Sequence, residues 1–180
     1  VYNIVTACNG DIRVKSREGE GTCFSVYLPI LDSLPEAEPL PARPSLTQSG
    51  RGETIMVVDD DREIAEMCKE GLQIAGYRVQ MFNSSNQALE FYRENHADID
   101  LVITDQTMPD LTGLALASEI RRINARIPVV LCSGYAGAIT EHRLAQAGIS
   151  RFILKPVTVE KLTREVFVLL AEQQGRTDGP

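Results

Sequence analysis

Four short apolar runs in this chain end on side chains that can do chemistry. Val57 and Val58 lead into Asp59, Asp60 and Asp61. Leu101 to Thr104 lead into Asp105. Val129 to Cys132 end at Ser133, and Phe152 to Leu154 end at Lys155, which Pro156 follows. Each has an ordinary reading. Asp60 or Asp61 can be a helix N-cap, Asp105 can start a turn or cap the next helix, Ser133 can cap a turn, and Lys155-Pro156 can be an exposed turn. Brought to one edge, they read differently. Two or three carboxylates crowded together repel unless a cation sits among them. Oxygen donors with little nitrogen or sulfur suit Mg2+, and Lys155 adds a fixed positive charge. A divalent cation, an ammonium and a hydroxyl around one Asp suit phosphoryl transfer, where charge neutralisation and positioning do most of the catalysis. The Asp is then the acceptor and becomes an acyl phosphate.

Such convergence requires strands that all deliver their carboxyl ends to the same edge. The strand candidates are TIMVVD, YRVQMF, LVITD, PVVLCS and RFILK. Most are short continuous apolar runs, as expected of strands covered on both faces. Helical spacing separates them. Residues 61–75 carry Ile64, Met67, Cys68, Leu72 and Ile74; residues 85–95 carry Ala88, Leu89, Phe91 and Tyr92; residues 113–123 carry Leu114, Leu116, Ile120 and Ile123. Residues 138–147 and 158–172 supply two more helices. Gly71 and Gly76 flank the end of the first and Gly148 follows the fourth, where glycine stops a helix. Five βα units with short connections predict an α/β fold, a five-stranded parallel doubly wound sheet of flavodoxin-like type. Its ligand site is expected beyond the carboxyl ends of the strands.

The 180 residues carry a formal net charge of −7 and are 43% hydrophobic. That is enough apolar material for a packed core. The negative charge argues against nucleic-acid or anionic-membrane partners, which need a basic surface. No apolar run approaches the roughly 20 residues of a membrane span, and no secretory signal opens the chain. The first residue is Val1 rather than Met, so we expect a piece of a longer protein. Cys8, Cys23, Cys68 and Cys132 form no C-x-x-C pair, which leaves small buried hydrophobes in a reducing cytoplasm as the reading. Residues 31–52 hold Pro35, Pro39, Pro41 and Pro44 among small and polar residues. They read as an extended linker between segments 1–30 and 53–174, and residues 175–180 read as a tail.

The elements MVVDDD, VITDQTMPDLTG, VVLCSGYAG and AGISRFILKPVT, in this order and spacing, resemble the receiver domain of two-component response regulators across about residues 53–174. The resemblance implies that Asp105 is the phosphoacceptor. It implies that Asp60 binds Mg2+ directly, that Asp59 does so through water or by orienting ligands, and that the Thr107 backbone carbonyl completes the protein's share of the metal shell. Ser133 would bond one phosphoryl oxygen and Lys155 another. Phe152 stands where the family often has an aromatic that turns inward as the Ser/Thr moves, and an edge-strand aromatic packed on a helix is the plain alternative. Met108, Pro109 and Gly113 match the loop after the acceptor. Thr107 and Tyr135 stand at positions that tune acyl-phosphate lifetime.

In residues 1–30, Val1, Ile4, Val5 and Cys8 keep helical spacing. DIRVKS and TCFSVYLP then read as a hairpin around REGEG. The helix, the Gly19-Glu20-Gly21-Thr22 stretch and the closing Phe24, Val26, Leu28, Pro29 resemble the carboxyl end of the ATP-binding domain of sensor histidine kinases. The metal-binding Asn, the Gly-rich nucleotide motifs and the phosphorylatable His box of that family do not occur in this sequence. His96 and His142 read as surface residues of the receiver helices.

The resemblances together imply the carboxyl-terminal part of a hybrid sensor histidine kinase, cytoplasmic, with a phosphohistidine donor as partner. The chain itself is expected to perform receiver phosphotransfer and autodephosphorylation, with no kinase activity and no DNA-binding effector. Residues 1–30 cannot enclose a core alone, and a homodimer through their apolar faces is expected. Two other readings remain. A phosphorylation-independent interaction module would have lost an acidic residue or the Lys. A haloacid-dehalogenase-type phosphatase would need a second general-acid Asp, where Met108-Pro109 stand instead.

Overall fold

The computed structural model describes Val5 and residues 10–19, 21–29, 50–134 and 139–177, with the side chains of 174–177 left aside. The chain divides into two units, Val1–Arg43 and Pro44–Pro180. The expected helix over residues 1–8, nearly all of the linker, and Tyr135 lie outside the described residues.

In the first unit, strands β1 (Asp11–Arg17) and β2 (Gly21–Tyr27) pair antiparallel, with Val14 opposite Phe24 and Ile12 opposite Val26. Alternation along paired strands puts these four residues on one face. Gly19 and Gly21 have φ of +78° and +94°, a region that glycine enters without a steric penalty. The turn therefore falls at the expected REGEG stretch.

The second unit is a five-stranded parallel sheet. In chain order its elements are β3 (Thr54–Val58), α1 (Arg62–Ile74), β4 (Arg78–Phe82), α2 (Ser85–Asn95), β5 (Leu101–Asp105), α3 (Gly113–Ile123), β6 (Val129–Ser133), α4 (Glu141–Gln146), β7 (Arg151–Leu154) and α5 (Val159–Thr177). A short 3-10 turn, His96–Asp98, follows α2. The strand order is β4-β3-β5-β6-β7, so the winding direction reverses between β3 and β5. The three central strands are buried throughout, while the outer strands β4 and β7 are partly exposed. This explains the continuous apolar runs.

Alternation along the strands sorts the core onto two faces. Ile55, Val57, Leu101, Ile103, Val130, Cys132 and Ile153 pack with Leu72 of α1 and with Leu162, Val166 and Leu169 of α5. Met56, Val58, Val102 and Val129 pack with Ala88, Leu89 and Tyr92 of α2 and with Leu116, Ala117 and Ile120 of α3. Burying each of the larger side chains contributes about 1.5–3 kcal/mol against the chain entropy lost on folding.

Two helices differ from expectation. The fourth begins only after Thr140, whose hydroxyl caps it by accepting from the Arg143 N–H. The fifth runs five residues past the expected end at 172. Its last turns are tied to the body where Arg151 pairs with Glu172 at 3.0 Å and the Gln173 amide donates to the Arg126 carbonyl at 2.9 Å. Among the described residues no helix is long and apolar enough to cross a membrane.

Candidate functional site

The same alternation that builds the core builds the site. Asp59 follows Val57, Asp105 follows Ile103 and Lys155 follows Ile153, each two residues on and on the same side of the sheet. Because β3 and β5 are neighbours, the two carboxylates come together at the carboxyl edge. The Lys155 ammonium bridges them, at 2.9 Å from Asp59 Oδ2 and 2.7 Å from Asp105 Oδ1. Both Asp residues are nearly inaccessible, at 5% and 6% exposure, so this is a desolvated pair of anions sharing one cation.

Burial and the shared lysine shift the proton affinities of Asp59 and Lys155. Burial raises the Asp59 carboxyl above its ordinary 3.8; the Lys155 bond and the Asp61 N–H at 3.0 Å pull it back, and Asp105 adds to the rise. For Lys155, burial alone would lower the ammonium. The bonds from Asp105 and Asp59 outweigh it, and the net shift is upward. Asp59 moves up chiefly because it is buried, and Lys155 moves up because it holds two carboxylates.

The loops around this pair are fixed by named bonds. Asp61 is the N-cap of α1 and accepts from the Glu63 and Ile64 N–H groups at 3.0 and 3.3 Å. This leaves Asp60 exposed at the rim. Beyond Asp105, the Thr107 N–H donates to Asp105 Oδ2. The Gln106 N–H donates to the Cys132 carbonyl at 2.8 Å, and the Gly113 N–H returns to the Gln106 carbonyl at 3.1 Å. A side chain at Gly113 would place its Cβ 2.3 Å from the Asp105 carbonyl oxygen and 2.5 Å from Leu131 Cδ1. Glycine is therefore required for α3 to start so close to the acceptor strand. Met108 is buried in the core beside α2 and α3, and Thr107 is exposed.

Ser133 lies at the end of β6, 3% exposed, and its carbonyl accepts from the Lys155 N–H at 2.8 Å. Its side chain lies on the opposite side of the sheet by alternation, so it flanks the charged trio from the neighbouring strand. The Lys155-Pro156 bond is cis. Phe152 is half-buried on β7 against Leu114, Leu131 and Ala147. Cys68 and Cys132 are core residues whose thiols burial pushes up to about 11 and about 12, so they stay protonated and act as small hydrophobes. Cys23 is exposed. His142 is exposed, whereas His96 is half-buried with its ring 6.2 Å from that of Tyr92.

The donor set at this edge has the chemistry that Mg2+ prefers. The groups at this edge are hard oxygens: two buried carboxylates, the exposed Asp60 and the Thr107 carbonyl. Two carboxylates against one ammonium leave uncompensated negative charge, which a divalent ion would neutralise. Among the described residues no three His, Cys, Asp or Glu side chains gather closely enough to hold a metal ion by themselves, so the Thr107 carbonyl and water would have to complete any Mg2+ shell here.

One residue at the site was not visible in the sequence. The Asn83 side chain, just beyond β4, donates to the Asp59 carbonyl at 2.8 Å.

Comparison with known proteins agrees with this architecture. The sensor kinase CckA of Brucella abortus (strain 2308) is 29% identical over a 179-residue alignment that covers 96% of this chain and 19% of the relative. The autoinducer 2 sensor kinase/phosphatase LuxQ of Vibrio vulnificus (strain YJ016) is 29% identical over 168 residues, covering 92% of this chain and 19% of the relative. The chain thus spans about a fifth of the length of these curated relatives. Among solved structures, a response regulator receiver domain protein from Clostridium thermocellum matches with a TM-score of 0.63 and 30% identity, over 67% of this chain and 96% of that one. The response regulator TrrA of Thermotoga maritima, solved in complex with Mg2+-BeF, matches with a TM-score of 0.58 and 30% identity, over 65% of this chain and 98% of that one. The family model for the response regulator receiver domain matches residues 55–167, and the chain belongs to that family.

Proposed function

We propose that Asp105 accepts a phosphoryl group from a phosphohistidine donor, and that residues 53–174 work as the receiver of a phosphorelay. The observation that carries this reading is the Lys155 ammonium bridging the buried Asp59 and Asp105 at the carboxyl edge of the sheet. In such a transfer an Asp105 carboxylate oxygen attacks phosphorus and the donor imidazole leaves. Lys155 is placed to turn its ammonium from the carboxylate to a phosphoryl oxygen, and the buried edge limits water. Asp60, Asp59, Asp105 and the Thr107 carbonyl would hold a Mg2+ ion, which supplies charge neutralisation on the phosphoryl oxygens when bound. Ser133 is the proposed partner of a second phosphoryl oxygen, Ser133 and Phe152 the proposed switch pair, and Thr107 and Tyr135 the proposed lifetime tuners. Treating the full chain with a small phosphodonor and Mg2+ should add one phosphoryl by intact mass, and none in EDTA. Several phosphoryls, or turnover of phosphate monoesters, would contradict the reading.

The alignment to the sensor kinase CckA covers 96% of this chain, more than the receiver alone, and supports an origin in a hybrid histidine kinase. On this reading the hairpin is the end of the ATPase domain and residues 31–52 are a linker. We also propose a homodimer of this chain. Val14, Phe24 and Val26, three of the four residues on the apolar face of the hairpin, are 55%, 65% and 48% exposed, and a two-stranded sheet offers open edges for pairing. Size exclusion with light scattering should report a dimer at tens of micromolar protein, and a monomer once residues 1–50 are removed. A monomeric full chain would reject this.

A further inference from the structure

The polar residues between β4 and α2 touch both halves of the site. On one side, the Asp59 N–H donates to the Phe82 carbonyl at 3.2 Å, and the Asn83 side chain donates to the Asp59 carbonyl at 2.8 Å. Asp59 is thus held through its backbone on both sides. On the other side, the Ser84 hydroxyl reaches Asp110 Oδ2 at 3.4 Å, and the Ser85 hydroxyl accepts from the Leu111 N–H at 2.9 Å. Asp110 and Leu111 belong to the loop that leaves Asp105. That loop is fixed at its two ends by Gln106 and Gly113; between them its lateral polar anchors are these two serines.

Ser84 already has a local task as the N-cap of α2. Ser85 has no capping role, yet it is a hydroxyl at 1% exposure in the core. A buried hydroxyl is unfavourable unless hydrogen-bonded, and the partner here is a backbone N–H of the acceptor loop, 26 residues away.

We propose that Asn83 and Ser85 are positioning residues for the phosphorylation site. Asn83 fixes the acidic loop and Ser85 fixes the acceptor loop, so that one short junction sets the distance between Asp59 and the Thr107 carbonyl. The proposal rests on Asp105 as acceptor. Loosening Leu111 lets the loop drift from the metal-facing position and admits water to the acyl phosphate. Ser85→Ala should therefore weaken Mg2+ binding and speed loss of the phosphoryl group, each by ~3- to 10-fold, the equivalent of one net hydrogen bond.

The test compares the full-length chain with Ser85→Ala, Asn83→Ala and Ser85→Thr. Ser118→Ala serves as control, because Ser118 donates a comparable bond, to the Leu114 carbonyl at 2.9 Å within α3. Mg2+ affinity is read by calorimetry with MgCl2, acyl-phosphate decay by intact mass, and stability by Tm. The expected result is weaker Mg2+ binding in Ser85→Ala and Asn83→Ala, faster decay in Ser85→Ala, recovery in Ser85→Thr, and neither effect in Ser118→Ala at a similar Tm. Mg2+ affinity and decay unchanged in both variants, while wild type is labelled, overturns this proposal alone. Changes of equal size in Ser118→Ala also overturn it, because the effect is then general loosening. A wild-type chain that takes no phosphoryl overturns the functional reading and this proposal with it.

Discussion

Asp105→Asn is expected to accept no phosphoryl group under conditions that label the wild type completely. The side chains are nearly isosteric, and the amide oxygen can still receive one of the two donors that now sit on separate oxygens of Asp105, the Lys155 ammonium on Oδ1 or the Thr107 N–H on Oδ2. The fold should survive, because the strand around it, Leu101 to Thr104, is fully buried and makes its contacts through other side chains. What disappears is the nucleophile, since a carboxamide does not form an acyl phosphate. Intact mass on variant and wild type, with circular dichroism to confirm folding, reads the result. Equal labelling of the variant would move the acceptor elsewhere.

Asp59→Asn is expected to make the metal-free protein more stable at neutral pH. Burial raises the Asp59 pKa in the folded state above the ordinary 3.8. The folded protein then binds this proton more tightly than the unfolded chain. Between 3.8 and the raised value the folded state holds more protons, so stability falls as pH rises through that window and stays lower above it. Asn abolishes this titration and keeps an oxygen for Lys155, at the expense of the bond that Asp59 Oδ1 accepts from the Asp61 N–H. Its advantage in Tm should be full above the folded pKa and vanish as pH falls to 3.8. Each kcal/mol relieved should raise Tm by roughly 2–8 °C. Wild type should regain stability on adding Mg2+, by mass action on the folded state; the variant should regain less. Thermal melts in EDTA across pH check the sign. A variant less stable than wild type at pH 7 would mean that Asp59 works as a structural ion-pair partner of Lys155 rather than as a strained carboxylate.

Much of the fold was legible because the three central strands, buried on both faces, read as nearly continuous apolar runs, and each led into or ended on a functional residue. The parity that unites Asp59, Asp105 and Lys155 is a consequence of two-residue periodicity and could be counted from the sequence. The choice between Asp60 and Asp61 as helix cap could not: both have the right chemistry, and only the three-dimensional start of α1 selects Asp61. The extension of α5 to Thr177 was hidden because Arg151 and Arg126, which secure it, lie 21 and 47 residues away from their partners. Asn83 and Ser85 were hidden for the same reason, since a Ser beside an N-cap looks like part of the cap. Lys155 joining both carboxylates, with Asp60 left at the rim, is likewise a property of the assembled edge.

The most direct measurement of the central claim is chemical mapping of the phosphorylated residue. Borohydride reduces an aspartyl phosphate to homoserine, and peptide sequencing by mass spectrometry locates it. After treatment of the full chain with a small phosphodonor and Mg2+, homoserine should appear at position 105 alone, and nowhere when EDTA replaces Mg2+. Homoserine at position 59 or 60, or a phosphoryl group recovered on His96, His142 or Ser133, would contradict it.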